Sequence, residues 1–373
     1  MQAIFPARRP TVAAILSCAA ALASPALHAA AAPETVAPTD LVPIATLVQS
    51  PSVSIGNGLL SAKIYLPDPA KGFYRGSRFD WAGMIGGLTY RGHDFYPPWF
   101  RALGHGVRDF IFDADGAAIA GPNTAATGPV EEFNGDGGAL GYAEAAPGGR
   151  FVKIGVGVLQ RPAADNYSQF VPYPIVDAGQ RSTRARADSV AFTHTVAEPG
   201  SGYAYRYTKT VRLLPKQPVM VIEHELVNTG KRAIATQVYD HNFLNIDGAG
   251  TKAGLVLTTR FPLVVESMQD PQLATIAGNR VTYVGAMMPG QRVSTRLGGY
   301  GATAADYDFR ISDPGGAGLR ITSDQPLDRA LLWSIRPVMA IEPFVRMSIA
   351  PGKSFRWSYT YAFEVTDDRG RSP

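Results

Sequence analysis

Residues 203–213 have the sequence Tyr-Ala-Tyr-Arg-Tyr-Thr-Lys-Thr-Val-Arg-Leu. Tyr203, Tyr205, Tyr207, Val211 and Leu213 alternate with small or polar residues. Consecutive side chains of an extended strand point to opposite faces, so a period of two indicates a strand with one buried face. This stretch therefore predicts a half-buried β-strand, and it is the clearest such signal in the chain.

Several other segments show the same pattern. Residues 219–227, the run from about Ala233 to His241, and the aromatic series Phe355 to Phe363 each predict a strand, as does 151–159. The 39 Gly, 29 Pro, 16 Tyr and 17 Phe favour many short strands joined by turns. No βαβ alternation and no three-turn helix is predicted outside the N-terminus. The chain is thus predicted to be all-β, a large antiparallel sandwich in one domain over residues 49–368.

The N-terminus has a different composition. Arg8 and Arg9 precede a small-residue apolar run, and residues 27–31 offer alanine-rich cleavage sites. This pattern predicts a signal peptide over residues 1–31 and a protein exported to the periplasm, by a Sec-type route or, given the twin arginine, a Tat route. Residues 32–48 are rich in Ala and Pro and predict a tether, the alternative being an edge segment that is not part of the core.

Composition also limits the partners. The only cysteine, Cys18, lies in the predicted signal, so no disulfide is expected. The net charge of +4 is carried by interleaved acidic and basic residues, which does not favour nucleic acid or anionic lipid as a partner. No further apolar run of about twenty residues predicts a membrane span.

Two stretches carry the candidate chemistry. Residues 239–246 are Tyr-Asp-His-Asn-Phe-Leu-Asn-Ile, and residues 339–344 are Met-Ala-Ile-Glu-Pro-Phe. His241 and Glu342 are suitable groups for acid and base catalysis near neutral pH. The alternatives are a histidine hydrogen-bonded in the core and a strand-end carboxylate paired with Arg336 or Arg346.

The two stretches resemble segments of the aldose 1-epimerases (galactose mutarotases). The histidine stretch is similar to their His-x-Tyr-Phe-Asn-Leu segment, and Ile341-Glu342-Pro343 is similar to their strand-end Glu-Pro, followed here by Pro351-Gly352 and a final aromatic strand. The resemblance implies a galactose mutarotase-like supersandwich. It also implies that Glu342 acts as the base and His241 as the acid in sugar ring opening, without a metal or cofactor.

The chain departs from that family at one motif. A His-Gly-Gly segment of the family has no counterpart, and residues 128–133, Gly-Pro-Val-Glu-Glu-Phe, take its place in the order. Glu131 and Glu132 are expected to accept hydrogen bonds from sugar hydroxyls. Because carboxylates cannot replace a cationic histidine, the departure leaves the sugar undefined.

Further candidates surround these motifs. Arg78 resembles the family's substrate-contacting arginine, the alternative being a salt bridge with Asp80. Tyr239 and Trp333 are candidates for stacking on a sugar, and Asp308 for the family's substrate-binding aspartate, the alternative being a surface carboxylate.

Three functions fit these residues. The first is an aldose 1-epimerase-like isomerase acting on a sugar or oligosaccharide. The second is a carbohydrate-binding protein without catalysis. The third is a polysaccharide lyase or glycosidase, where Glu131 or Glu132 with Glu342 would supply two carboxylates. The first predicts that His241 and Glu342 face one pocket, a monosaccharide's width apart.

Overall fold

The structure is a computed structural model, and it describes residues 40–366. Within them lie one short helix, α1 (Ile44–Leu47), and 3₁₀ turns at Ile246–Gly248, Pro271–Leu273 and Ala304–Asp306. The strands are β1 (Leu41–Pro43), β2 (Ser52–Gly56), β3 (Leu60–Tyr65), β4 (Met84–Tyr90), β5 (His93–Asp94), β6 (Ala102–Gly104), β7 (Phe110–Phe112), β8 (Ala118–Ala120), β9 (Gly128–Asn134), β10 (Arg150–Lys153), β11 (Gly157–Gln160), β12 (Ile175–Asp177), β13 (Gln180–Ala185), β14 (Ser189–Glu198), β15 (Tyr203–Leu213), β16 (Val219–Asn228), β17 (Ile234–Phe243), β18 (Val256–Thr259), β19 (Ala274–Ala277), β20 (Arg280–Tyr283), β21 (Val293–Leu297), β22 (Asp308–Ser312), β23 (Ala317–Ser323), β24 (Arg329–Ile335), β25 (Val338–Ile349) and β26 (Ser354–Val365).

Two large sheets form the sandwich. A ten-stranded sheet has the order β13-β14-β15-β16-β26-β23-β22-β18-β20-β19, and a five-stranded sheet has the order β21-β24-β25-β17-β9. Three smaller sheets flank them: β2-β3-β4-β5, β1-β6-β8-β7 and β10-β11-β12. The pairing is antiparallel except between β6 and β8. The predicted all-β antiparallel sandwich is confirmed.

Alternation along the strands builds the core between the two large sheets. In β15, every second residue from Tyr203 to Leu213 is buried, and in β26 the same holds from Trp357 to Phe363. Each strand buries the face that carries its large apolar side chains, because removing apolar surface from water is favourable. The polar side chains of the other face remain closer to solvent. Lys209 is the exception in chemistry: it occupies a buried position of this alternation in β15 but carries a charge.

The prediction of a single strand over residues 151–159 is wrong. The segment forms two strands, β10 and β11, which pair with each other as a hairpin. Gly155, in the turn between them, has a φ of 82°, a conformation that favours glycine. A Cβ atom at Gly155 would lie 2.6 Å from the Cβ of Asp80, so glycine is needed there for space as well.

The structure describes only part of the N-terminal region for which predictions were made. The predicted signal peptide lies outside the described residues. For the last part of the predicted tether the alternative, an edge segment, describes the structure, because β1 pairs with β6 at the edge of a four-stranded sheet and Leu47 of α1 is buried. The first described strand thus begins at Leu41, before the predicted start of the folded domain at residue 49. Between residues 40 and 366, no helix is long and apolar enough to cross a membrane.

Candidate functional site

One face of the five-stranded sheet packs on the ten-stranded sheet, and the opposite face carries the candidate site. Antiparallel pairing sets side chains in rows across that face. The first row contains Arg329, Phe344, Tyr239 and Glu132. The second row contains Leu331, Glu342, His241 and Val130. These rows bring the two sequence motifs together although they lie about a hundred residues apart.

His241 and Glu342 are cross-strand neighbours. The β17–β25 register that pairs Tyr239 with Phe344 continues to the bridge between Leu244 and Met339, which sets His241 opposite Glu342. His241 Nε2 lies 3.4 Å from Glu342 Oε1. The two side chains therefore share a face, as expected, but they contact each other instead of standing a monosaccharide's width apart.

Asn242 supports this contact from the other side of β17. In the shared register Pro343 lies opposite Asp240, and proline has no N–H to donate to the ladder. The Asn242 side-chain amide donates instead to Asp240 O at 3.0 Å and to Ile341 O at 2.8 Å. Its Oδ1 accepts a hydrogen bond from the Tyr361 hydroxyl at 2.8 Å. Asn242 thereby fixes the backbone on either side of His241 and Glu342.

Arg78 joins the site through Glu132. Its Nε donates to Glu132 Oε2 at 2.7 Å and its Nη2 donates to the Tyr239 hydroxyl at 2.9 Å, while the Tyr239 hydroxyl donates to the same Glu132 oxygen. Burial alone would raise the pKa of Glu132, but Arg78 and Lys153 outweigh it and hold that pKa at about 2. Arg78 therefore pairs with Glu132 and not with Asp80.

The surroundings shift the pKa values of both candidate catalytic groups. His241 is 4% exposed, and burial together with the charge of Arg78 lowers its pKa well below the usual value. Glu342 is 8% exposed, and burial raises its pKa to about 7, with Arg78 opposing the rise. At neutral pH the imidazole is therefore neutral, and the carboxyl group is poised between its protonated and ionised forms.

Aromatic rings enclose the pair. Phe243 stacks on His241 with 3.8 Å between ring centroids, and Phe79 and Trp333 meet the imidazole edge-on at 5.7 and 5.5 Å. Trp333 is only partly buried, and its ring contacts His241. Apolar walls of this kind account for the strong effect of burial on both pKa values.

No protein-family model matches the chain, and no curated protein matches it by sequence. Solved structures match it in shape. A candidate aldose 1-epimerase from Escherichia coli K12 superposes with a TM-score of 0.51 at 12% identity, covering 84% of this chain and 99% of that chain. A galactose mutarotase-like protein from Lactobacillus casei ATCC 334 matches with a TM-score of 0.45 at 13% identity, over 84% of this chain and 100% of that chain.

The chain has the galactose mutarotase-like fold. The likeness predicted from the two motifs is thus confirmed for the fold. At such low identity the comparison extends to the fold alone, and the chemistry has to be argued from the residues of this chain.

Within the galactose mutarotase-like fold, Glu131 and Glu132 point to opposite sheet faces because they are adjacent in β9. Glu131 is fully buried between the two large sheets, where His224 Nε2 lies 2.7 Å away and Lys209 forms an ion pair with it. This corrects the expectation that Glu131 binds substrate. Glu132 is on the site face, but its two oxygens already accept four hydrogen bonds and it is 0% exposed, so the same correction applies to it.

Asp308 is not brought to the site. It lies in β22 of the ten-stranded sheet and forms a two-pronged ion pair with Arg320 at 2.7 and 2.6 Å, which satisfies its carboxylate. The alternative interpretation, a surface carboxylate, describes its surroundings. Among residues 40–366, no cluster of three or more His, Cys, Asp or Glu side chains could hold a metal ion.

Two groups of the site were missed in the sequence. Lys153 is buried and donates to Glu132, to Phe133 O and to the Tyr167 hydroxyl. Lys153 is the last residue of β10. Its place in the site was not predicted, because residues 151–159 were predicted to form a single strand. Arg329 lies over the Phe344 ring, with 3.8 Å between its guanidinium carbon and the ring centroid. No motif marks Arg329, and only the β24–β25 register connects it to the site.

Arg78→Met is expected to lower the free energy of unfolding by about 2 kcal/mol, because Glu132 loses its strongest partner while Lys153 and Tyr239 remain. The same change should raise the pKa of His241, since Arg78 opposes the charged imidazole. Urea denaturation and NMR titration of the His241 ring would measure these effects. Arg75→Met, at an exposed arginine, is the matched control, and equal effects of the two substitutions would refute the role given to Arg78.

Proposed function

We propose that this protein is an aldose 1-epimerase-like enzyme that interconverts sugar anomers by general acid and base catalysis. One observation carries the proposal: His241 and Glu342 are buried cross-strand neighbours, 3.4 Å apart, with pKa values shifted in opposite directions. Pairs of titratable groups whose surroundings separate their pKa values are typical of acid and base catalysts. The fold is compatible with this activity and does not by itself argue for it.

The reaction needs one base and one acid at a single carbon. The base takes the proton of the C1 hydroxyl while the acid protonates the ring oxygen, and the bond between C1 and that oxygen breaks to give the open-chain aldehyde. After rotation about the C1–C2 bond, the reverse steps close the other anomer. Both oxygens are attached to C1, so the acid and the base have to converge within a few ångströms. Adjacent positions on neighbouring strands meet that requirement.

In its active form, the pair of His241 and Glu342 carries one titratable proton that either residue can hold. That proton lies on Glu342 when His241 is the base, and on His241 when Glu342 is the base, as the resemblance implies. Both arrangements have the same total charge, and the pair titrates as a unit. In the free protein, burial of His241 favours the form with the proton on Glu342.

The pH dependence of the reaction rate follows from the number of titratable protons on His241 and Glu342. We expect kcat/KM to fall as the pH rises through about 7, because the pair then loses its only proton and no acid remains. On the acidic side activity should persist well below pH 6.5, since the low pKa of His241 delays uptake of a second proton. Initial rates of anomer exchange between pH 5 and 9 test this. A rate that increases steadily up to pH 9 would contradict it.

The proposal is tested by exchange NMR of anomer interconversion over a panel of neutral and acidic aldoses, with buffer alone as the reference. Wild-type protein should accelerate at least one sugar, and His241→Ala should lose the acceleration. His105→Ala, at an exposed loop histidine, is the matched control and should retain it. Binding of a sugar without any acceleration would instead favour a carbohydrate-binding protein.

The site argues against the glycosidase alternative. A hydrolase of that type needs a second carboxylate free to act with Glu342. Glu131 faces the other side of the sheet, and both oxygens of Glu132 are occupied by neighbouring donors. We further propose, from the pattern of residues 1–31, that the protein acts after export to the periplasm.

A further inference from the structure

A groove opens beside the catalytic pair and is not used by the proposed reaction. It has a volume of about 730 Å³ and includes Asn134, Tyr142, Tyr167, Phe170 and Arg329 in its lining. That volume lies within the roughly 300–1,000 Å³ typical of small-molecule sites. His241 and Glu342 are not part of its lining, so a substrate that fills only the groove cannot react.

Three contacts connect the groove to the site. Phe170 lies 5.2 Å from the guanidinium carbon of Arg78, and the Tyr167 hydroxyl is 3.0 Å from Lys153 Nζ. Arg329 lies on Phe344, which is on the same face of β25 as Glu342. The row that contains Arg329 and Phe344 adjoins the row of Glu342 and His241, so a substrate that reaches both the pair and the groove has to extend across these rows.

The charge of the groove comes from two arginines with different roles. Arg161 donates all its hydrogen bonds to backbone carbonyl oxygens, of Tyr142, Ala145, Ala163 and Asp165. Arg329 has only a 3.4 Å contact between Nη2 and Gln237 Oε1, and its buried Nε has no partner. Across the described part of the chain, no carboxylate lies within ion-pair distance of Arg329.

The remaining charge on the rim does not neutralise Arg329. Asp136 also lines the groove, but it is 86% exposed and is 3.6 Å from Arg346. The Arg329 guanidinium lies over the Phe344 ring, and a planar guanidinium without a carboxylate partner matches a carboxylate or a similar oxyanion. Tyr167 and Phe170 are partly exposed in the groove and offer aromatic surface on which a sugar ring can pack.

We propose that this groove binds a second, negatively charged sugar unit of an oligosaccharide whose reducing-end unit lies at His241 and Glu342, with Arg329 binding the anionic group. The proposal rests on the proposed function and narrows its substrate class from aldoses in general to acidic oligosaccharides. The anionic group is a carboxylate or a sulfate, since both present oxygens that an arginine can bind side by side.

Titration calorimetry of the full chain with digalacturonic acid, monosulfated lactose and lactose tests the proposal. At least one acidic disaccharide should bind roughly ten-fold or more tightly than lactose, and the tighter of the two identifies the anion. Arg329→Met keeps the stem on Phe344 but removes the charge, and it should weaken binding of that disaccharide by about 10- to 100-fold. Arg356→Met, at an exposed arginine of the ten-stranded sheet that pairs with Glu225, should leave binding unchanged.

Equal binding of lactose and the acidic disaccharides, or equal effects of the two arginine substitutions, would overturn the groove proposal. Should Arg329→Met fail to fold, Arg329→Lys should give a smaller but measurable loss, because lysine lacks the planar fork. Exchange NMR on the same sugars separates the two proposals. Binding that depends on Arg329 but is not accompanied by anomer exchange refutes only the proposed enzymatic function. Anomer exchange without a preference for acidic sugars refutes only the groove proposal.

Discussion

Glu342→Gln is expected to slow anomer interconversion by roughly 100- to 10,000-fold, because it removes one of the two proton-transfer groups. The same substitution should stabilise the folded protein at pH 8. A glutamine cannot ionise, whereas the Glu342 carboxyl group is buried, and this burial raises its pKa to about 7. Loss of activity together with a gain in stability distinguishes a catalytic carboxylate from a structural one.

The size and sign of the stability change follow from the pKa shift. In the unfolded chain Glu342 would ionise near its usual pKa of 4.5, but in the folded chain only near 7. Its protonated form is favoured by folding, so its contribution is fully present below pH 4.5 and is lost as the pH rises through about 7. At about 1.4 kcal/mol per pKa unit, the loss amounts to about 3 kcal/mol at pH 8 and about 1 kcal/mol at pH 5.

Thermal or urea unfolding of the wild type and Glu342→Gln at pH 5 and pH 8 measures this difference. The advantage of the variant should be larger at pH 8. Glu223→Gln removes an exposed carboxylate paired with Arg212 and should change neither activity nor the pH dependence of stability. A variant that is less stable than wild type at pH 8 would show that the Glu342 carboxylate holds the fold together.

Lys209→Met is expected to lower the free energy of unfolding by about 3–5 kcal/mol. Lys209 lies between the two large sheets, where it pairs with Glu131, donates to Ala82 O at 2.9 Å and is 4.0 Å from Asp80. Methionine fits the stem but leaves Glu131 with only His224 as a partner. The carboxylates would then have to be buried as less compensated charges or take up protons.

Urea denaturation at pH 7 measures the Lys209→Met effect, with Lys71→Met at an exposed lysine as the control. Adding Glu131→Gln to Lys209→Met should recover part of the loss, because the unpaired charge is removed with its partner. Part of the loss should also be recovered at low pH, where Glu131 can be protonated. A loss of less than about 1 kcal/mol would mean that water or neighbouring groups solvate the carboxylates.

Sequence patterns predict the architecture well and the partners of buried charges poorly. Alternation predicts β15 and β26 because each buries one continuous face. It also places Lys209 on the buried face of β15, but nothing local shows that Glu131, 78 residues earlier, compensates it. That pairing depends on how two sheets pack, which no local pattern encodes.

The candidate site shows the same limit. The motifs identify His241 and Glu342, and the sheet register then makes them neighbours. The adjacent Glu131 and Glu132 could not be assigned to a face, since a shift of one residue exchanges the two faces of a strand. The role of Asn242 follows from Pro343 only after the strands are aligned, because the missing N–H is on the partner strand.

The central claim is that His241 and Glu342 act together on one carbon. A double-mutant cycle of His241→Ala, Glu342→Gln and the double variant, followed by exchange NMR on a sugar that the wild type accelerates, tests it most directly. Groups that act as a unit are not additive, so the double variant should be about as slow as the slower single variant. Single effects that multiply in the double variant would show independent roles and would contradict the claim.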